Sequence, residues 1–131
     1  MKIKLLGLFV SLLLFTACSS DDDAREITII GKWQVEQSFN NNQENDLSVC
    51  LKKNIVEFKE YGSGSIDNYS DDSGNCEYNR DSFTYIVNNN TLTIETGDDS
   101  VENTFYLTET TLTITNEDDE GTSKSIWNKI N

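Results

Sequence analysis

The side chains that could do chemistry in this sequence are three cysteines and a large set of carboxylates, and the chain has no histidine. Without histidine, Ser-His-Asp and Cys-His catalysis and histidine-ligated zinc or haem sites are excluded. The remaining residues show no pairing of a base with a nucleophile and no recognisable spacing of metal ligands. We therefore expect no enzymatic activity, no resident metal and no cofactor.

Cys18 follows an apolar leader, in which Lys2 and Lys4 precede the run from Leu5 to Ala17. This is the form of a secretory signal, and the run is too short to span a bilayer comfortably as a permanent helix. The end of the run resembles the lipobox of bacterial lipoproteins, with Phe15 in place of the usual leucine. The resemblance implies that residues 1–17 are a lipoprotein signal peptide, removed before a lipidated Cys18. An ordinary signal peptide beside a chance cysteine is the alternative.

Ser19 to Asp23 place three consecutive aspartates beside the predicted lipid anchor. The stretch resembles the Ser/Asp-rich export signal that follows the lipidated cysteine in Bacteroidota lipoproteins, although a solvated spacer would have the same composition. We expect residues 18–30 to be an acidic, lipid-anchored tether. The resemblance implies an outer-membrane lipoprotein that is displayed on the cell surface.

Cys50 and Cys76 are left in the exported domain, where an oxidising compartment favours a disulfide. Their spacing is far from that of a redox-active CxxC motif, so we expect a structural bond. A loop of about 27 residues closed in this way contributes roughly 3.5 kcal/mol on the chain-entropy model.

Composition limits the possible partners of the exported part. Removal of residues 1–17 leaves 114 residues, the size of one domain, with 8 basic and 23 acidic side chains and hence a net charge of −15. Nucleic-acid binding is disfavoured because it requires a basic face. We expect a monomer that is attached to a membrane through its lipid anchor.

Alternation of apolar and polar residues predicts eight short strands and no sustained helix. The Thr-rich stretches at 91–94 and 111–114 are especially typical of strands. The predicted strands are Lys32–Phe39, Asn54–Glu60, a third ending near Tyr69, Ser82–Val87, Thr91–Glu95, Val101–Thr108, Thr111–Thr115 and Thr122–Ile130. Short connections favour an all-β, antiparallel, up-and-down barrel without exposed edges, and a two-sheet sandwich is the alternative.

The order of several weak motifs resembles the lipocalin-like domain of small bacterial lipoproteins, within the calycin-like barrels. The motifs are Gly31-Lys32-Trp33, a cysteine before the second strand, Phe58 to Gly64, a second cysteine, Asn90 to Ile94, Leu107-Thr108 with Leu112 to Ile114, and Trp127 to Ile130. The resemblance implies an eight-stranded barrel over residues 31–131 and, at most, the binding of a small apolar ligand.

Inward-facing aromatic residues give the candidate ligand pocket: Trp33, Phe58, Tyr85 and Phe105. An eight-stranded barrel is narrow enough to be filled by side chains, so a packed interior is at least as plausible as a deep cavity. We place a shallow pocket under the loops at Asn40–Lys53 and Ser70–Asp81.

Connections in a meander alternate between the two barrel ends, so the loops after the odd-numbered predicted strands share one end. That end is expected to point away from the membrane and to be strongly acidic. Its carboxylates could bind calcium or steer a cationic ligand, but solubility is the interpretation we favour.

One further pattern, Asp99-Ser100-Val101, resembles the O-glycosylation site of Bacteroidota exported proteins and makes Ser100 a candidate for modification.

Two functions follow from these observations. The first is a surface-anchored module that binds a small apolar or amphipathic ligand. The second is a non-enzymatic interaction or structural domain, whose filled barrel binds protein or glycan through its loops. An open cavity would favour the first, and a filled barrel with exposed aromatic side chains would favour the second.

Overall fold

The computed structural model describes residues 26–72 and 74–131, which form strands, connecting turns and two short 3-10 turns. The strands are β1 (Gly31–Asn40), β2 (Gln43–Glu44), β3 (Ile55–Phe58), β4 (Ser63–Ser70), β5 (Glu77–Asn88), β6 (Thr91–Thr96), β7 (Asp99–Leu107), β8 (Thr111–Asp118) and β9 (Gly121–Ile130). The predicted signal peptide, Cys18 and residues 18–25 of the predicted tether lie outside the described residues. Residues 26–72 and 74–131 contain no helix with the length and hydropathy of a transmembrane span.

One antiparallel sheet closes on itself to form the barrel. From β3 to β9 each strand pairs with the next, and β1 pairs with β3 at one edge and with β9 at the other. The two-residue β2 only folds back onto the end of β1, so eight strands form the wall. The predicted eight-stranded antiparallel barrel is therefore confirmed, and the sandwich alternative is wrong.

The centre of the barrel is filled by side chains. Alternate residues of each strand point inward, and Trp33, Phe58, Leu92 and Leu112 are each at most 1% exposed. Further inward residues pack around them, partly buried, from β4 to β8: Ile66, Tyr85, Ile94, Phe105, Leu107 and Ile114. The middle of the barrel formed by the described residues is therefore packed with side chains and holds no deep cavity.

The connections divide between two ends, as the meander predicts. We call one the loop end; it contains the described residues of 41–54, 71–72, 74–76, 97–98 and 119–120. We call the other the turn end; it contains the short connections 59–62, 89–90 and 108–110, and the chain enters there through residues 26–30. A disulfide joins Cys50 and Cys76 across two loops of the loop end.

The β4–β5 hairpin is longer than the sequence predicts. The expected loop over Ser70–Asp81 shrinks to residues 71–76, because β5 begins at Glu77 and pairs with β4 through Thr84. Pairing of β5 with β6 starts only at Thr84. The first half of β5 therefore stands beside β4 alone, beyond the packed interior, and its polar sequence does not need an apolar face.

Gly64 makes room for the aromatic cluster at the centre of the barrel. It lies opposite Phe58 on β3 and opposite Phe83 on β5. The two rings contact edge to face, with centroids 5.5 Å apart. A Cβ atom at Gly64 would overlap the Phe83 ring and lie 2.7 Å from the Glu57 carbonyl oxygen. The absence of a side chain at this position is therefore a packing requirement.

Gly64→Ala is expected to destabilise the barrel by about 1–3 kcal/mol, the usual cost of overpacking a close-packed core. Chemical denaturation followed by tryptophan fluorescence measures the loss. Ser63→Ala, at the exposed neighbouring position, is the control and should change the free energy of unfolding by less than about 0.5 kcal/mol. Equal stability of the two variants would contradict the close contact with Phe83.

Candidate functional site

The four residues of the predicted ligand pocket divide between two environments. Trp33 and Phe58 lie within the packed core. Tyr85 and Phe105 are only partly buried, and both line a cleft that opens at the turn end. The structure therefore brings two of the four residues to an accessible site and places the other two in the core behind it.

The cleft has a volume of about 530 Å³, within the range of small-molecule sites. Its strand wall consists of Tyr85 and Val87 from β5 and of Phe105 and Leu107 from β7. These are alternate residues at the turn-end termini of their strands, so all four face inward where the barrel opens. We call this space the turn-end cleft.

The opposite wall of the turn-end cleft is the N-terminal segment, residues 26–30. Ile29 is buried in the core, and the indole N–H of Trp33 donates a 2.8 Å hydrogen bond to the Ile29 carbonyl oxygen. Ile27 and Ile30, on either side of this anchor, remain exposed and line the cleft. The segment is thus attached at Ile29, while its other apolar side chains remain available to a ligand.

Polar groups lie at the rim of the turn-end cleft. Glu26 and Asn89 line it together with the apolar residues. The Tyr85 hydroxyl donates a 2.6 Å hydrogen bond to the Lys59 carbonyl oxygen. Burial raises the pKa of Tyr85, so the phenol is neutral at physiological pH. Apolar walls with a polar rim suit an amphipathic molecule better than a purely apolar one.

The sequence predicts a pocket at the loop end, but the apolar cleft lies at the turn end. Leu47, from the first loop, is partly buried and packs against the core from the loop end. A depression of about 280 Å³ near this end is lined mainly by polar groups of Asn40, Asn41 and the β8–β9 hairpin. Sequence reasoning missed the cleft because it assigned Ile27 and Ile30 to a tether. The only available signal was their apolar character immediately before β1.

The carboxylates of the loop end are exposed. Some organise their own turns: Asp118 accepts hydrogen bonds from the backbone N–H groups of Glu120 and Gly121. Asp81 accepts from the side-chain amides of Asn68 and Asn79. Among the described residues, Asp71 lies near Cys50 and Cys76, but both sulfurs are consumed by the disulfide and cannot ligate a metal as thiolates. Calcium binding at this end stays a prediction.

A polar cluster occupies the outer face of the β4–β5 hairpin. The Arg80 guanidinium donates to both oxygens of Asp67, at 2.6 and 3.0 Å, and the Tyr78 hydroxyl donates to the same carboxylate at 3.0 Å. The Arg80 hydrogen bond holds the pKa of Asp67 below its usual value, and the same contact raises the pKa of Arg80. Desolvation, followed by the bond to Asp67, raises the pKa of Tyr78. The Tyr69 and Tyr78 rings lie 5.3 Å apart beside this ion pair.

Ser100, the candidate for O-glycosylation, is the second residue of β7 and is exposed at the loop end. Its position leaves the hydroxyl accessible to solvent. Modification of Ser100 stays a prediction.

Comparisons with known proteins agree with this architecture. A family model described as "Lipocalin-like domain" matches residues 29–114. A solved structure of a lipocalin-like protein from Bacteroides uniformis is similar to this chain with a TM-score of 0.59 and 17% sequence identity, over 77% of this chain and 97% of that one. At this identity the similarity supports the fold alone. No curated protein matches the chain significantly.

The fold defines a lipocalin-like β-barrel with a filled centre and a cleft at one end. Because the family model matches more than half of its residues, the chain belongs to the lipocalin-like domain family. The match includes Ile29, Tyr85 and Phe105 and ends before β9.

Proposed function

We propose that this protein is an outer-membrane lipoprotein, anchored through Cys18 and displayed on the cell surface, that binds one small amphipathic molecule in the turn-end cleft. The main support for the ligand site is that the barrel axis is filled by side chains, while an apolar cleft opens beside it. The apolar part of the ligand lies between Ile30 and Phe105, and its polar group lies at the rim near Asn89. The anchor is supported by the lipobox-like residues before Cys18.

A linear fatty acid is the simplest probe of this site. The described residues form a closed barrel with its own core, so a soluble chain beginning at Ser19 contains the whole folded unit. Native mass spectrometry of this chain with a set of saturated fatty acids should show uptake of one molecule per chain. A chain that stays free of every fatty acid and of hydrophobic dyes would contradict the proposed ligand.

Val87→Glu is expected to weaken fatty-acid binding about tenfold or more, because it places an unpaired carboxylate in the apolar wall. Val101→Glu is a matched control: the two valines are similarly exposed, at 44% and 47%, but Val101 lies at the loop end. Titration with a fluorescent fatty acid measures the dissociation constant of each variant. Comparison of the two constants shows at which end of the barrel the fatty acid binds. Equal weakening by both substitutions, or an effect of Val101→Glu alone, would contradict binding in the cleft.

A second function is favoured by the packing of the barrel axis together with the exposed Tyr78 on the β4–β5 hairpin. In this alternative, the protein is a surface interaction domain that binds a protein or a glycan through its loop end. It predicts no fatty-acid uptake, so the mass measurement above separates the two functions.

A further inference from the structure

The exposed apolar side chains are concentrated at the turn end. Of the nine large hydrophobic residues that are exposed in the described ranges, six lie in the turn end or within three residues of it: Ile27, Ile30, Tyr61, Ile86, Val87 and Tyr106. The loop end has the other three, Val49, Tyr78 and Val101. Exposed apolar groups that cluster on one surface mark a contact with a partner or a membrane.

Tyr61 is the most prominent member of this group. It is completely exposed, at the tip of the β3–β4 turn, and adopts the left-handed conformation with φ of 65°. The turn rests on β5, because the Lys59 carbonyl oxygen accepts the hydrogen bond of Tyr85. Tyr85 also lines the cleft together with Ile30 and Val87. The tyrosine therefore projects beside the cleft mouth and belongs to the same surface.

Acidic side chains are concentrated at the loop end, the opposite end of the barrel from the exposed apolar side chains. The loop end and the strand residues within three positions of it hold twelve carboxylates against Lys52 and Lys53: Glu44, Asp46, Asp71, Asp72, Glu77, Glu95, Asp98, Asp99, Glu117, Asp118, Asp119 and Glu120. Near the turn end, four acids (Glu26, Glu57, Glu60 and Glu109) face three lysines (Lys32, Lys59 and Lys129), which leaves a net charge of −1. An anionic membrane surface would therefore repel the loop end far more strongly than the turn end.

The chain itself restricts which end can reach a membrane. Seven residues lie between Cys18 and Glu26, and even a fully extended chain spans at most about 29 Å over these eight residue steps. Glu26 lies at the turn end, beside the cleft. An anchor at Cys18 therefore keeps the turn end close to the bilayer and gives the apolar surface a partner.

We propose that the turn end is a bilayer-contact surface, in which Tyr61, Ile27, Ile30 and Val87 enter the lipid interface and the turn-end cleft opens toward the membrane. The inference rests on the anchor in the proposed function and adds to it the source of the ligand, which enters from the bilayer. Tyrosine suits this position because its ring is apolar and its hydroxyl can remain in the headgroup region.

The test uses the full-length lipidated protein in vesicles of phosphatidylcholine whose acyl chains carry bromine, a contact quencher of tryptophan fluorescence. The two natural tryptophans are buried, so a third can be placed as a probe. Tyr61→Trp probes the turn end, and Tyr78→Trp makes the same exchange at the loop end. We expect a blue shift and at least twofold quenching for Tyr61→Trp, and neither for Tyr78→Trp.

Each other outcome overturns a different part of the proposal. A chain that does not float with vesicles overturns the anchor together with the contact surface. A chain that floats, but in which both probes remain unquenched, overturns the contact surface and leaves the anchor standing. A blue shift at Tyr61→Trp that depends on protein concentration and not on brominated lipid would identify a second copy of the chain as the partner.

Discussion

Trp33→Ala is expected to cost about 3–5 kcal/mol of the free energy of unfolding, the largest loss from a single side chain in this barrel. The Trp33 ring is fully buried, and its N–H is the donor that holds the N-terminal segment at Ile29. Lys129 places its ammonium group 5.3 Å from the ring centroid on the neighbouring strand. A domain of this size is stabilised by about 5–15 kcal/mol in total, so the variant should be partly unfolded at 37 °C.

The milder Trp33→Phe variant separates the packing role from the hydrogen bond. It keeps an aromatic ring in the core but leaves the Ile29 carbonyl without its donor, which should cost about 1–3 kcal/mol. Hydrogen exchange at Ile29 and Ile30 should accelerate, and fatty-acid uptake should weaken, because one wall of the cleft is released.

Trp127→Phe provides the control, since that indole donates to the Ser125 hydroxyl and not to the N-terminal segment. Its loss of stability should not be accompanied by faster exchange at Ile29. If the two phenylalanine variants released the segment equally, the role of the Trp33 hydrogen bond would be refuted. Urea unfolding and hydrogen exchange by mass spectrometry are the two measurements.

Removal of the disulfide is the second large effect. Replacing Cys50 and Cys76 together by alanine should lower the free energy of unfolding by about 3.5 kcal/mol, because the reduced chain gains the entropy of an open 27-residue loop. The bond joins residues 26 positions apart and holds the long first loop against the tip of the β4–β5 hairpin. The shift in the urea midpoint measures this loss.

The effect on the site should be small, which distinguishes this prediction from the first. The disulfide lies at the loop end and the cleft at the turn end, so fatty-acid binding by the folded variant should stay within about twofold of the wild type, or about 0.4 kcal/mol. The reduced wild-type protein should match the double variant in stability. A loss below about 1 kcal/mol would contradict the stabilising role, and a lost fatty-acid site would contradict the separation of the two ends.

Sequence pattern predicts the strands where one face is buried. Leu92 and Leu112 each follow a threonine in an alternating run, and both are fully buried on the inward side of their strands. The same pattern fails for the first half of β5, because Glu77 to Asp81 have no apolar face to signal a strand. The first half of β5 is ordered instead by its pairing with β4 and by the nearby disulfide.

The site was predicted only in part, for a related reason. Alternation identifies Tyr85 and Phe105 as inward-facing, but it does not tell which inward residues lie in the packed middle and which at an open end. That depends on where each strand stops and on what covers the end. In this barrel the end is covered by the segment that contains Ile29. Because Ile29 inserts into the core, part of the predicted tether forms a wall of the cleft.

The ligand is expected in the turn-end cleft and not along the barrel axis. The most direct test is a crystal of the chain beginning at Ser19 with a fatty acid that carries bromine at its terminal carbon. Anomalous diffraction should give one bromine peak between the N-terminal segment and Phe105. A peak at the loop end near Ile94 and Ile114, or a crystal without a bound bromine at saturating ligand, would contradict binding in the turn-end cleft.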